Sequence, residues 1–570
     1  MDNSRNLILA FVLSALVLIG WTSLSDRYFP PAKPVAGKTV AGDVAASNNG
    51  GPVSAPVAQS ASKLRDIAVV RNESPRIAID TPKLSGSINL RGAEIDDLVM
   101  TAYKETLKKD SPSIRLFAPS GSKAAFFTGF GWISEGIEVP NAKTMWQADA
   151  ATLTPDKPVT LRWANTTGQS FAIKISVDRD YMFSVEQSIT NGGTGGIIAR
   201  PYAFVSRFGQ SKDVDTWTNH VGPIGAFNGS VNFSVDWSTL DEAGAAGKRF
   251  QSKGGWLGFG DLHWLTALVP ANDAAIDAGF RAADGSYQAE YTLPQSAIPL
   301  GKSATTTTRL FAGAKEVRLL DGYQKSLSIV NFGKAIDWGW FEIFAKPFFY
   351  LLDWLFRMAG NFGVAIMLLT LIVRGVMFPI AQRQFASMAA MRVVQPKLKA
   401  LQERYKDDKP KLQQEMMQLY KTEKINPMAG CLPILIQIPV FYALYKVLMV
   451  AIEMRHQPFV LWIKDLSAPD PAHVLNLFGV LPFTVPAFLG IGVLAILLGI
   501  TMWLQFKLNP AQMDPVQQQV FAIMPWMMMF VMAPFAAGLL VYWITNNILT
   551  IAQQKWLYSR HPALQEPVKA

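Results

Sequence analysis

The chain is poor in cysteine, in histidine and in charge. Of 570 residues only Cys431 is a cysteine, which excludes an internal disulfide and a metal site built from several thiolates. The five histidines, His220, His263, His456, His473 and His561, stand singly, without the spacing that sets two ligands on one helical face. Neither a metal nor a cofactor is expected. Charged residues are 17% of the chain and hydrophobic residues 50%, against about 25% charge in a soluble globular protein. With a mean hydropathy of +0.17, this deficit implies membrane segments and excludes a disordered or fibrous chain. There is no GxSxG elbow, HExxH pair or phosphate loop, and Gly129-Phe130-Gly131 and Gly258-Phe259-Gly260 lack the third glycine of a dinucleotide fingerprint. An enzyme is not expected.

The texture changes along the chain. Leu7 to Leu24 is apolar and long enough to cross about 30 Å of hydrocarbon; it reads as a transmembrane anchor or a signal peptide, and its length favours an uncleaved anchor over residues 1–29. Residues 30–62, built of Pro, Ala, Gly, Val, Ser, Asn and Lys, form a flexible linker. From 63 to 337 apolar residues alternate, as in Phe171, Ile173, Ile175 and Val177, then Tyr181, Phe183 and Val185. Period two with frequent turn signals predicts a large all-β sandwich of antiparallel sheets, and no helix-period segment of comparable strength occurs there. Residues 338–358, with Trp338, Trp340, Phe341, Phe344 and Trp354 among scattered charges, predict an amphipathic helix in the headgroup region.

Residues 359–558 carry five further apolar segments, at about Asn361 to Ala381, Gly430 to Ile452, Pro486 to Phe506, Val520 to Ala533 and Gly538 to Gln553. With the anchor, six transmembrane helices are expected, the last two as a tight hairpin through Ala533-Pro534-Phe535. Between Arg383 and Lys424 ten basic residues face five acidic ones, which marks residues 383–429 as cytoplasmic by the positive-inside rule. The sandwich is then extracytoplasmic, in a periplasm, and both termini, including the 559–570 tail, are cytoplasmic. The basic block reads as two amphipathic helices broken near Asp407-Asp408-Lys409-Pro410, a helical hairpin whose Arg392, Lys397, Lys399 and Arg404 suit anionic lipid, ribosomal RNA or an emerging peptide equally.

Arg374 most needs explaining. A guanidinium in the middle of a span costs at least about 2.5 to 3.5 kcal/mol on insertion scales, so it must face water, an anion or a polar cavity. Thr370 lies one turn away on the same face. The last segment supplies a polar stripe of Tyr542, Trp543, Asn546, Asn547, Thr550, Gln553 and Gln554, and Gln437 adds an amide from the third span. Such groups also serve simply to join helices. Pro433, Pro439 and Pro525 loosen their helices, as suits lateral opening or a transporter. A transporter would show paired ionisable residues and internal repeats; neither is seen, Arg374 being the only clear charge deep in a span.

The runs Ile372-Val373-Arg374-Gly375, Met391-Arg392-Val393-Val394-Gln395-Pro396-Lys397, Glu415-Met416-Met417-Gln418-Leu419-Tyr420-Lys421, Asn426-Pro427-Met428-Ala429-Gly430-Cys431-Leu432-Pro433 and Gln437-Ile438-Pro439-Val440-Phe441 resemble the YidC/Oxa/Alb insertase family of bacterial inner membranes. Leu461-Trp462-Ile463-Lys464-Asp465-Leu466 and Gly538-Leu539-Leu540-Val541-Tyr542-Trp543 continue the likeness, and the anchor with its large outer domain fits the Gram-negative form. The resemblance implies a non-enzymatic insertase and chaperone for nascent membrane proteins, acting alone or with the Sec translocon. It also implies a hydrophilic groove, open to cytoplasm and lipid, formed at Arg374, Thr370, Gln437, Tyr542 and Trp543, with ribosome or signal-recognition components and membrane lipids as further partners. Lys446 and the run from Phe478 to Leu489 depart from the family's usual pattern.

Overall fold

The computed structural model describes residues 64–213, 218–405, 408–423, 432–478, 480–481, 490–508 and 515–560. The expected anchor and linker, over residues 1–62, and residues 561–570 of the tail lie outside them.

Two sheets, of 11 and 9 strands among the described residues, face one another across a core. Register follows the alternation: in the smaller sheet Phe183 pairs with Val177, Val185 with Ile175 and Ile189 with Phe171, so the apolar side chains of neighbouring strands point to one face and are buried. A one-residue slip would turn that whole row to water. Alternation fails at Phe126–Ser134, where seven consecutive residues are buried, because a second cluster of Ala125, Phe127, Tyr202 and Phe204 covers the other face.

Against the expectation of strands without strong helices, the domain carries helices among its described residues, the longest of them at residues 317–326. Helix α1, Val317–Ser326, buries Val317, Leu320 and Tyr323, a three-residue spacing too short to register beside the long period-two pattern. It joins the sandwich to helix α2, Glu342–Ala359. Arg318 pairs with Asp353 at 2.5 Å and Lys346 with Asp321 at 2.8 Å, and the Tyr350 hydroxyl donates to Asp321 at 2.5 Å. Helix α2 buries Phe349, Leu352 and Leu355 and leaves Ile343, Phe344, Trp354 and Met358 exposed, the amphipathic division that its sequence predicts. Trp338 is corrected: it precedes the helix and is buried, with its ring centroid 6.1 Å from that of Phe349.

Helix α3, Phe362–Arg404, runs unbroken for 43 residues through Pro379 and Pro396, about 65 Å at 1.5 Å per residue. The expected boundary between a span ending at Ala381 and a separate helix after Arg383 is therefore absent. Helices α4, Lys409–Thr422, α5, Leu432–Val450, α6, Val493–Lys507, α7, Pro515–Met532, and α8, Ala537–Arg560, follow. The break before α4 falls where the sequence sets it, with Asp408 accepting from the Lys411 N–H at 3.1 Å. Pro439 lies inside α5; the start of that helix adjoins residues 424–431, outside the described ones, and Pro433 is not placed relative to it. Helix α6 begins at Val493 rather than near Pro486: the Asp470 carboxylate accepts the Leu494 N–H at 2.8 Å and lies where a Cβ on Gly492 would stand. Residues 482–489 lie outside the described ones. Among those described, only Phe362–Gln384 is both long and apolar enough to cross a membrane; Ile436–Val450, Val493–Lys507 and Gln519–Met532 are shorter apolar helices.

The sandwich and the helices share buried polar contacts. Arg455, after α5, donates to the Lys104 and Glu105 carbonyls at 2.9 and 3.2 Å, and the fully buried Lys446 of α5 donates to the Thr218 carbonyl. Lys446 stands at the sandwich end of α5 rather than midway along it. Glu453 accepts the Val317 N–H that opens α1 at 2.8 Å, while its Oε2 is buried with no hydrogen-bond partner among the described residues. Burial lifts this carboxyl to about 7. An unfolded glutamate titrates near 4.3, so between these values the folded chain holds the extra proton. That contribution is full below the unfolded value and is lost as pH rises through about 7. The thermal midpoint in detergent should fall over this window, and Glu453→Gln, which keeps an acceptor for Val317, should flatten the slope. Equal slopes in both proteins would refute the assignment.

Candidate functional site

The site is built on α3, α5 and α8, with α8 packed against both α3 and α6. Arg374 stands mid-way along the apolar stretch Phe362–Gln384, partly buried. Its Nε–H donates to Asn546 Oδ1 at 2.7 Å and an Nη2–H to the Thr550 hydroxyl, which itself donates to the Asn546 carbonyl at 2.6 Å. Asn546 and Thr550 are one turn apart on α8, so a single face of that helix receives two edges of the guanidinium fork. Both partners are neutral, and Arg374 makes no ion pair among the described residues.

Tyr542, one further turn toward the start of α8, is buried and accepts a hydrogen bond from Gln437 Nε2 of α5. The stripe therefore ties α8 to α3 and to α5 through different residues. Trp543 points aside, its ring 5.1 Å from Phe441 at 67°. Thr370 is buried and donates to the Ile366 carbonyl at 2.7 Å, a bond within its own helix; it does not present its hydroxyl beside Arg374 as the shared face suggests. The adjoining Asn547 donates to Thr501 of α6 at 3.1 Å, a helix-joining role.

Sequence reasoning passed lightly over two features. Thr550 is a direct partner of the guanidinium, and its place four residues beyond Asn546 is the signal that finds it. Toward the basic end of the bundle, Gln505 Oε1, Gln553 Nε2 and Gln554 Oε1 are buried and have no hydrogen-bond partner among the described residues. Buried amides without partners are costly, and all three lie toward the same ends of α6 and α8.

The hairpin residues divide. Lys397 is exposed and donates to Glu423 at 2.6 Å, and Arg404 is exposed with its guanidinium 5.6 Å from the Tyr405 ring. The side chains of Arg392 and Lys399 lie outside the described residues. Val394 and Leu398 of α3 pack against Met416, Leu419 and Tyr420 of α4, the apolar faces that the sequence assigns to these helices.

The Arg374 contacts make a quantitative expectation. Asn546→Leu removes the acceptor of the Nε–H, and a hydrogen bond to a charged group contributes about 1.5 to 3 kcal/mol. The thermal midpoint followed by tryptophan fluorescence in detergent should fall accordingly, and Asn546→Asp, which keeps an oxygen at that place, should restore it. No change with leucine would show that the bond adds nothing.

Comparison with known proteins gives one family. The family model described as 60Kd inner membrane protein matches residues 354–564, and that of the YidC periplasmic domain matches residues 76–351. The membrane protein insertase YidC of Zymomonas mobilis subsp. mobilis is 49% identical over 567 residues, covering 99% of this chain and 96% of that one. YidC of Granulibacter bethesdensis is 44% identical over 584 residues, covering 100% and 99%. A crystal structure of an active YidC insertase with its first transmembrane domain resolved aligns with 84% of this chain and 92% of that one, at 18% identity and a TM-score of 0.37.

Proposed function

The chain belongs to the YidC family of membrane protein insertases, with a periplasmic β-sandwich and a helical membrane region, and from that premise we propose that it inserts nascent membrane proteins by way of Arg374. The observation that carries this reading is a cation inside the bundle held only by neutral oxygens. Such a cation keeps its full attraction for an anion, and in a poorly screened interior that attraction is stronger than in water. A short acidic or polar segment of a substrate is drawn toward Arg374, and Tyr542, Asn546, Gln437 and the partnerless amides replace part of its lost hydration. This lowers a desolvation penalty that is severe in bare hydrocarbon. The substrate's apolar helix meanwhile passes along the lipid side and gains its burial energy there. No nucleotide is needed.

In the same reading the chain crosses the inner membrane six times, with both termini and the α3–α4 hairpin in the cytoplasm. The groove of Arg374, Thr370, Gln437, Tyr542, Trp543 and Asn546 then opens to cytoplasm and lipid. Thr370 takes a wall position rather than a ligand position, since its hydroxyl is engaged by its own helix. The exposed Lys397 and Arg404 give the hairpin a basic surface for anionic lipid or for the ribosome and signal-recognition components, and the Sec translocon is a partner for larger substrates.

The test is insertion of a single-span protein with an acidic outer tail into proteoliposomes holding only this chain, scored by protease protection of the tail. Arg374→Ala should lower the protected fraction by about tenfold, equivalent to about 1.4 kcal/mol, while Arg374→Lys retains most of it if charge, not the fork, does the work. Protection equal to that of empty liposomes, with saturable uptake of a small anion, would replace this reading by transport.

A further inference from the structure

From Pro471 to Phe506 the chain carries no Asp, Glu, Lys or Arg. Helix α6 is 15 residues long, 14 of them in this stretch, and spans about 22 Å at 1.5 Å per residue, short of the roughly 30 Å of a hydrocarbon core. The chain leading into it is described over residues 473–478, 480–481 and 490–492. It is not helical, and it turns Val474, Leu475, Leu477, Phe478, Val480 and Leu481 outward, each 39% to 77% exposed. Six exposed aliphatic or aromatic side chains in one turn, with no charge around them, do not suit an aqueous loop.

The backbone of the turn is unusual in the complementary sense. The N–H groups of His473, Val474, Leu477, Phe478, Val480 and Leu481 all donate to carbonyls nearby, those of Pro471, Ile491, Val474, His473, Leu477 and Asn476. Leu477 and Phe478 adopt positive φ, 50° and 61°, a region unfavourable for such residues; the turn accepts that cost while pairing these six N–H groups and facing its side chains out. Paired backbone N–H groups beneath apolar side chains lower the cost that hydrocarbon sets on a non-helical segment.

Its place in the fold is fixed by the bridge of His473 with Gly492 and by Asp470, which accepts both the Ala472 and Leu494 N–H groups. The turn therefore lies at the start of α6. The same end of the bundle carries Arg455, which reaches the sandwich, so it is the periplasmic end. Its apolar surface continues into Leu497, Ile500 and Leu504, the exposed side of α6.

We propose that the described residues of this turn, 473–478 and 480–481, are immersed in the acyl region of the outer leaflet, beside the end of the short α6. Lipid is the occupant that the surface fits: there is no charge to match a polar partner rim and no unpaired strand edge to receive a peptide. The absence of Lys and Arg also excludes a merely electrostatic contact with headgroups.

The experiment places a fluorescent nitrobenzoxadiazole label on Leu475→Cys in a Cys431→Ser background, with the full chain reconstituted in phosphatidylcholine and phosphatidylglycerol vesicles. Quenching by acyl-chain nitroxide lipids is compared with quenching by aqueous iodide, and Leu300→Cys, an exposed site on the sandwich, serves as the aqueous reference. Immersion gives blue-shifted emission with nitroxide quenching several-fold stronger than at Leu300, and weak iodide quenching. Strong iodide quenching with none from nitroxide lipid would place the turn in water, and weak quenching by both would place it under protein; either overturns the proposal. Val480→Cys repeats the measurement independently should the first variant fail to fold.

Discussion

A guanidinium cannot shed its proton inside a protein, and this constraint shapes the helical region around Arg374. Other buried ionisable groups escape the cost of burial by becoming neutral; Arg374 has to be surrounded by oxygen instead. The sequence answers with a whole helix: α8 places Tyr542, Asn546 and Thr550 at four-residue steps, so that this face meets α3 and, through Tyr542, α5, while the adjoining Asn547 meets α6. That stripe costs α8 the uniform hydrophobicity of an ordinary span, and α8 is accordingly not among the apolar helices of the bundle.

A second constraint governs the join between the periplasmic domain and the bundle. A sandwich hung on a flexible tether would move freely. Here Arg318, Asp321, Lys346 and Asp353 pair across α1 and α2, and Arg455 and Lys446 each reach backbone carbonyls of the sandwich. Lys446 is informative because a buried ammonium facing a carbonyl is tolerated only where the alternative is worse. It stands one turn from the end of α5 that meets the sandwich, and its contact with the Thr218 carbonyl fastens the sandwich to the bundle.

Much of this was legible in the sequence, for identifiable reasons. Period two survives burial, so Phe171, Ile173, Ile175 and Val177 lie in one row as their spacing predicts. Arg374 stands out because a lone charge in an apolar run has few meanings, and Asn546 follows from helical spacing. What did not show were features that depend on contacts between distant segments. The short helix α1 carries three apolar residues whose burial depends on the sandwich. Trp338 reads as interfacial by composition and is covered by tertiary packing. The start of α6 is set by Asp470, 24 residues away from Leu494 in sequence, and the continuity of α3 through two prolines overrides a local breaker signal. Thr370 illustrates the limit of face arguments: residues one turn apart share a face, but a threonine hydroxyl satisfied by its own helix offers little to a neighbour.

The choice of neutral partners for Arg374 bears directly on what such a site can do. An aspartate at position 546 would hold the guanidinium at least as firmly as asparagine does, since charge-assisted bonds are the stronger kind. It would also cancel the charge locally, and the attraction for an incoming anion would fall with it. Asparagine and threonine hold the fork in place and leave its net charge unspent. For a purely structural arginine this arrangement is the inferior solution, because a matched carboxylate lowers the cost of burial. For a site that has to attract a polar segment briefly and then release it, neutral partners are preferable. They also limit how tightly any substrate binds, since the competing hydrogen bonds of Asn546 and Thr550 are regained the moment the anion leaves.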